Sequence, residues 1–122
     1  MKAAIVGYGK MGKIRAACVE QHADMELIGV CDVISQSLPT DMPFFTDYKK
    51  LLDLKPDVVF VCTVNKYLPE IVCFFLKAGV HVFCEKPPGR NKADVELMLE
   101  EEKRHQGIKL KFGFNHRYHQ AV

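Results

Sequence analysis

The 122 residues suffice for one compact domain, residues 1–122, and are too few for two ordinary ones. Apolar residues make up 48% and charged residues 26%, the balance of a soluble globular protein. A net charge of +2 with scattered basic residues gives no footing for nucleic acid or an acidic membrane surface, and no apolar run approaches the ~18 residues that span a bilayer.

Strand-like and helix-like segments alternate along the chain. Ala3 to Val6 is a short uncharged strand, and Lys10 to Gln21 reads as a helix. Met25 to Cys31 (MELIGVC) is a second strand and Phe44-Phe45 a short third. Only eleven residues, two of them proline, separate Asp32 from Phe44, so the crossover helix expected there is stunted or missing. Tyr48 to Leu54 reads as a short helix with Asp47 at its N-cap. Asp57 to Cys62 (DVVFVC) is β-branched and uncharged after its first residue. A strand apolar on both faces is buried on both, the habit of a parallel sheet covered by helices.

Pro69 to Ala78 is an almost wholly apolar helix, stopped by Gly79 at the C′ position. Val80 to Cys84 is the fifth strand. Asn91 to Gln106 reads as an amphipathic helix with Val95, Met98 and Leu99 on its apolar stripe, and the charge run Glu100 to Arg104 as its wet face. Ile108 to Phe114 makes the sixth strand. This rhythm gives βαβ units with right-handed crossovers. The fold expected is α/β: a doubly wound, mostly parallel six-stranded sheet in the order 3-2-1-4-5-6.

The five cysteines, Cys18, Cys31, Cys62, Cys73 and Cys84, are odd in number and never closer than eleven residues. With no CxxC and no clustering with histidine, they offer no metal site and read as reduced thiols of a cytoplasmic protein. The opening MKAAIVGYG holds an apolar run too short for a signal peptide.

Three glycines spaced G-x-G-x-x-G (Gly7, Gly9, Gly12) join the first strand to the first helix. That spacing alone is weak evidence, but its context supplies what a dinucleotide needs. Gly7 permits the tight turn, Gly9 lets backbone approach a pyrophosphate, and Gly12 lets helix and strand pack closely. The segment Gly7-Tyr8-Gly9-Lys10-Met11-Gly12 would then present backbone N–H groups to the phosphates. Twenty residues beyond Gly12, the second strand ends in Asp32, placed to accept hydrogen bonds from both adenosine ribose hydroxyls. A carboxylate there repels a 2′-phosphate, and no Arg or Lys follows within ten residues, so NAD is favoured over NADP. A methyltransferase has a similar start but a different glycine loop and a seventh, antiparallel strand, for which this chain has no room.

Ligands of such sheets bind outside the carboxyl ends of the strands, where strand order reverses. There the chain places Thr63-Val64-Asn65 after strand four, Glu85-Lys86-Pro87-Pro88 after strand five and Asn115-His116-Arg117 after strand six.

Together GYGKMG, the acid of VCD, CTVNKYLPE, AGVHVFCEKPPG and FGFNHRYHQAV resemble the N-terminal Rossmann domain of the glucose-fructose oxidoreductase / inositol dehydrogenase (Gfo/Idh/MocA) family, over the whole chain. The resemblance implies an NAD(P)-dependent oxidoreductase acting on a hydroxyl or carbonyl of a sugar, cyclitol or nucleotide sugar. It gives Lys86 the role of the EKP lysine, which contacts the nicotinamide ribose and the reacting oxygen and stabilises alkoxide charge. It sets Glu85 beside the nicotinamide, Thr63 and Asn65 along the dinucleotide, and Asn115 and Arg117, after the sixth strand, among the cofactor-binding residues, with Arg117 near the substrate mouth or the domain junction.

Two departures stand out: Val64 and Leu68 replace the proline and histidine of the family's Thr-Pro-Asn-x-x-His turn. His22, His81, His116 and His119 match no general-base motif. Family members continue into an α+β substrate domain, which also pairs subunits and carries a catalytic histidine. That domain is expected to be absent here, leaving a chain that binds cofactor with little or no turnover. The alternative is a stand-alone nucleotide-sensing or protein-docking module, its bare surface including Phe112, Phe114 and Tyr118.

Overall fold

The computed structural model describes residues 1–34, 36, 38, 41–63, 65–85 and 92–113. Its strands are β1 (Lys2–Val6), β2 (Glu26–Cys31), β3 (Phe44–Phe45), β4 (Val58–Val61), β5 (His81–Glu85) and β6 (Leu110–Gly113). Among the described residues three α-helices connect them: α1 (Lys10–Gln21), α2 (Leu68–Lys77) and α3 (Lys92–Lys103). The strands form one sheet in the order β3-β2-β1-β4-β5-β6, every pair parallel. The doubly wound order read from the sequence is the one observed.

Alternation along each strand divides the core into two layers. Ala4, Val6, Val59, Val61, Val82 and Cys84 face one side, where Leu68, Val72, Phe75 and Leu76 of α2 and Met98 of α3 cover them. Ile5 and Val30 meet Ala16 of α1 on the other side, where Val19 packs with Ala3 and Val58. The uncharged strands are thus buried on both faces, as continuous apolar runs require. Register brings the strand ends level: Val6 pairs with Cys31 on one flank and Val61 on the other, and Val61 pairs with Cys84. A single sheet edge therefore collects the residues that follow β1, β2, β4 and β5.

Tyr48–Leu54 forms a 3₁₀ helix rather than an α-helix, with the expected cap: Asp47 Oδ1 accepts from the Lys49 N–H at 3.0 Å. Asp57 lies outside β4, where its carboxylate accepts from the Lys2 N–H at 2.7 Å. Gly79 takes φ +80° after α2, so it stops that helix as expected. Among the described residues between Asp32 and Phe44 there is no helix.

The stripe read for α3 needs correction. Met98 is fully buried and Val95 half-buried, but Leu99 is 36% exposed and Glu101 only 5% exposed. Met98 and Glu101, three apart, share the face toward α2, whereas Leu99 is turned about 100° away. Burial of Glu101 is compensated locally. Arg104 Nη1 lies 3.1 Å from one oxygen, His105 Nε2 lies 2.8 Å from the other, and Lys77 Nζ approaches to 4.0 Å. The His105 contact holds the Glu101 carboxyl below the usual range. Glu102 also leaves the solvated face, accepting from the Leu110 N–H at 2.7 Å. The charge run thus anchors the α3–β6 junction.

Candidate functional site

β1 ends at Gly7, whose N–H donates to the Cys31 carbonyl at 2.8 Å while φ reaches +92°. A Cβ here would lie 2.8 Å from both the Cys62 carbonyl carbon and the Thr63 nitrogen. At Gly12 a Cβ would come within 1.9 Å of the Gly7 oxygen. These two glycines are demanded by the protein's own backbone.

Gly9 differs. Its φ of −84° suits any residue, and among the described residues a Cβ would meet no atom within 4 Å. Among the described residues no steric contact requires glycine there, and its open side is left to an approaching group. Gly9 is also the N-cap of α1, which has no side-chain cap and no acidic residue in its first turn. The helix's first N–H groups, without acceptors in the preceding turn, and the positive end of its dipole thus face the same open space.

Asp32 stands beside this turn. Its Oδ2 accepts from the Tyr8 N–H at 2.6 Å and its Oδ1 from the Ile34 N–H at 3.1 Å. The carboxylate is thereby fixed against the glycine loop. A carboxylate offers about four acceptor positions, so capacity remains for two more donors, the number a ribose diol supplies. Gln36 Nε2 steadies the loop by donating to the Tyr8 carbonyl at 3.2 Å.

Beside Asp32 opens a cleft of about 350 Å³, with apolar walls from Val6, Val33 and Ile71 and polar groups from Thr63 and Tyr67. Its size is that of a small-molecule site. Tyr48 and Glu70 complete the far wall, the hydroxyl bonding Glu70 Oε2 at 3.4 Å. Burial, and then the Glu70 carboxylate, push the Tyr48 phenol up from its ordinary pKa.

The structure gathers most of the residues expected from the sequence. Tyr8 is half-buried, with Lys13 Nζ 5.6 Å from its ring centroid; Lys10 is exposed and Met11 half-buried. Thr63 lines the cleft, and Asn65 opens the 3₁₀ turn Asn65–Tyr67. Glu85 reaches the same edge, but it is buried and bonded by Arg15 of α1. Leu68, at the position of the family histidine, is packed into the core at 1% exposure. Phe112 is half-buried against the core, not bare. Lys86, Asn115, Arg117, Phe114 and Tyr118 lie outside the described residues.

The cleft residues Tyr48, Tyr67 and Ile71 escaped sequence reasoning, as did Arg15. Tyrosines within short helical turns and an arginine in a helix carry no local signal of a site.

Comparison with known proteins agrees with this geometry. The profile of the oxidoreductase family with an NAD-binding Rossmann fold (Gfo/Idh/MocA) matches residues 1–114. Myo-inositol 2-dehydrogenase of Thermotoga maritima is 33% identical over 125 aligned positions, covering 97% of this chain and 37% of that protein. D-glucoside 3-dehydrogenase of Escherichia coli is 31% identical over 97% of this chain and 36% of its own length. The crystal structure of scyllo-inositol dehydrogenase from Lactobacillus casei, with bound NAD(H) and scyllo-inositol, superposes with a TM-score of 0.86 at 25% identity. It is matched over 99% of this chain and 38% of that one. The chain therefore spans a little over one third of the length of these relatives.

Proposed function

Because the chain belongs to the Gfo/Idh/MocA oxidoreductase family with an NAD-binding Rossmann fold, we propose that its site takes NAD in preference to NADP and serves hydride transfer to or from a sugar or cyclitol. The observation that carries this reading is the pairing of Gly9, unhindered on its open side, with an Asp32 carboxylate locked to the Tyr8 N–H.

The residues fit the cofactor. The backbone from Gly7 to Gly12 would hold the diphosphate against the α1 N-terminus, and Asp32 would accept from the adenosine ribose diol. The cleft walled by Val33, Thr63 and Ile71 would hold the adenosine end. A fixed carboxylate disfavours a 2′-phosphate by repulsion, which is the ground for preferring NAD. The cofactor, when bound, supplies the hydride acceptor or donor.

Lys86 and Asn65 keep the roles implied by the family. The Lys86 ammonium stabilises charge on the reacting oxygen and holds or gives its proton, and Asn65 lines the dinucleotide. In the whole protein the reaction would interconvert a hydroxyl and a carbonyl of a sugar, cyclitol or nucleotide sugar. By themselves residues 1–122 would bind cofactor and turn over little or nothing. Five free cysteines suit the reducing cytoplasm.

Calorimetric titration of residues 1–122 with NADH and NADPH tests the reading. NADH should bind at least tenfold more tightly, and Asp32→Ala should erase most of that margin. Binding of neither nucleotide, or tighter binding of NADPH, would overturn it.

A further inference from the structure

Glu85 occupies the last position of β5, immediately before Lys86, and is only 6% exposed. Arg15 of α1 bonds both of its oxygens, Nε to Oε2 and Nη2 to Oε1, the latter at 3.2 Å. The guanidinium lies over the Phe83 ring, 4.9 Å from its centroid. α1 packs on β1, β2 and β4, so Arg15 reaches past β4 to grip β5. From the other side Gly113 of β6 closes in: a Cβ there would lie 2.8 Å from the Phe83 ring and 3.3 Å from Glu85 Oε1.

Such a pair is a costly way to gain stability, since apolar residues of similar volume serve a buried site at least as well. What a two-pronged Arg–carboxylate contact supplies is direction: it fixes both partners in distance and in plane. Here one partner rides on the helix that begins at the glycine turn, and the other ends the strand that leads into Lys86.

We propose that Arg15 and Glu85 are positioning residues, a clamp that sets the span between the diphosphate end of the site and its nicotinamide end. Glu85 then acts through Arg15 and makes no contact with the cofactor itself. This inference rests on the NAD-binding reading above.

The test compares NADH with ADP-ribose, which has the same adenosine and diphosphate but no nicotinamide. Both affinities are measured on residues 1–122 carrying no change, Arg15→Met, Arg15→Lys or Glu85→Gln, with nicotinamide fluorescence as a second signal. Unaltered protein should bind NADH more tightly than ADP-ribose. In Arg15→Met, NADH affinity should fall about tenfold and the fluorescence change shrink, while ADP-ribose affinity stays within twofold. Arg15→Lys, which keeps the charge without the fork, should fall between, and Glu85→Gln should resemble Arg15→Met.

Equal losses for both ligands would overturn the proposal, because a merely structural pair weakens the whole site. So would unchanged NADH affinity, no preference for NADH in the unaltered protein, or three variants that all fail to fold. If the unaltered protein binds neither ligand, the NAD reading itself falls and takes the clamp with it.

Discussion

Gly9 and Gly12 stand three residues apart in one motif, yet they should fail in opposite ways when replaced by alanine. At Gly12 the new Cβ would sit 1.9 Å from the Gly7 oxygen, against an ordinary contact of 3.4 Å or more. Helix and strand must therefore part by roughly 1.5 Å. Overpacking of a tight core costs about 1–3 kcal/mol, and a backbone obstacle belongs at the upper end. Alanine returns about 1 kcal/mol in helix propensity, leaving a net loss of about 2 kcal/mol. For a domain of this size that lowers Tm by about 8 °C.

At Gly9 the Cβ meets nothing within 4 Å among the described residues and φ is ordinary, so the expected loss is the modest preference of an N-cap for glycine over alanine, below about 1 kcal/mol. Its methyl group, however, would stand in the space through which, on the proposed reading, a phosphate approaches the helix. NADH affinity should drop at least tenfold, about 1.4 kcal/mol. Scanning calorimetry and NADH titration on both variants separate the two effects. A Gly9→Ala protein that binds NADH normally, or a Gly12→Ala protein as stable as the original, would refute the division of labour.

Other expectations concern the core and its titrating groups. Phe75, fully buried between Phe74 and Tyr48, should cost about 3–5 kcal/mol on replacement by alanine, read as a Tm fall of at least about 12 °C. Burial pushes the Cys31, Cys62 and Cys84 thiols up to about 12. Exposed Cys18 should therefore react first with a thiol reagent at pH 8, and one fast thiol per chain is the result to look for. Because these folded values lie above the unfolded one, their contribution to stability is complete below about pH 9 and is lost as pH rises toward 12. Denaturant melts across that range should show the decline.

Glu101 has the opposite sign. Its lowered value contributes stability above the unfolded carboxylate pKa, and that contribution disappears as pH falls through the folded one. Glu101→Gln should flatten the acid limb of the stability curve.

The sheet was legible because each strand is a short uncharged run between turn residues, and because burial on both faces leaves no phase to choose. Helix faces were less so. In α3 the sequence offers two overlapping three- and four-residue spacings, one through Leu99 and one through Met98 and Glu101. Only the packing of α2 and the partners Arg104 and His105 decide for the second. Of the site, Gly7, Gly9, Gly12 and Asp32 were readable as one local motif with its acid at a fixed distance. Sequence spacing does not, however, distinguish a glycine imposed by backbone crowding from one left open to a ligand. The Arg15–Glu85 pair was illegible for a simpler reason. Its members lie 70 residues apart, and only strand order brings them together.

That the dinucleotide lies across the carboxyl rim of β1 and β2 is tested most directly by amide chemical shifts recorded while NADH is added to residues 1–122. The N–H signals of Tyr8 through Gly12 and of Asp32 through Ile34 should move first and furthest, and those of Lys55 and Gly79, at the opposite sheet edge, should stay. Shifts centred on that opposite edge, or a glycine turn indifferent to saturating NADH, would contradict it.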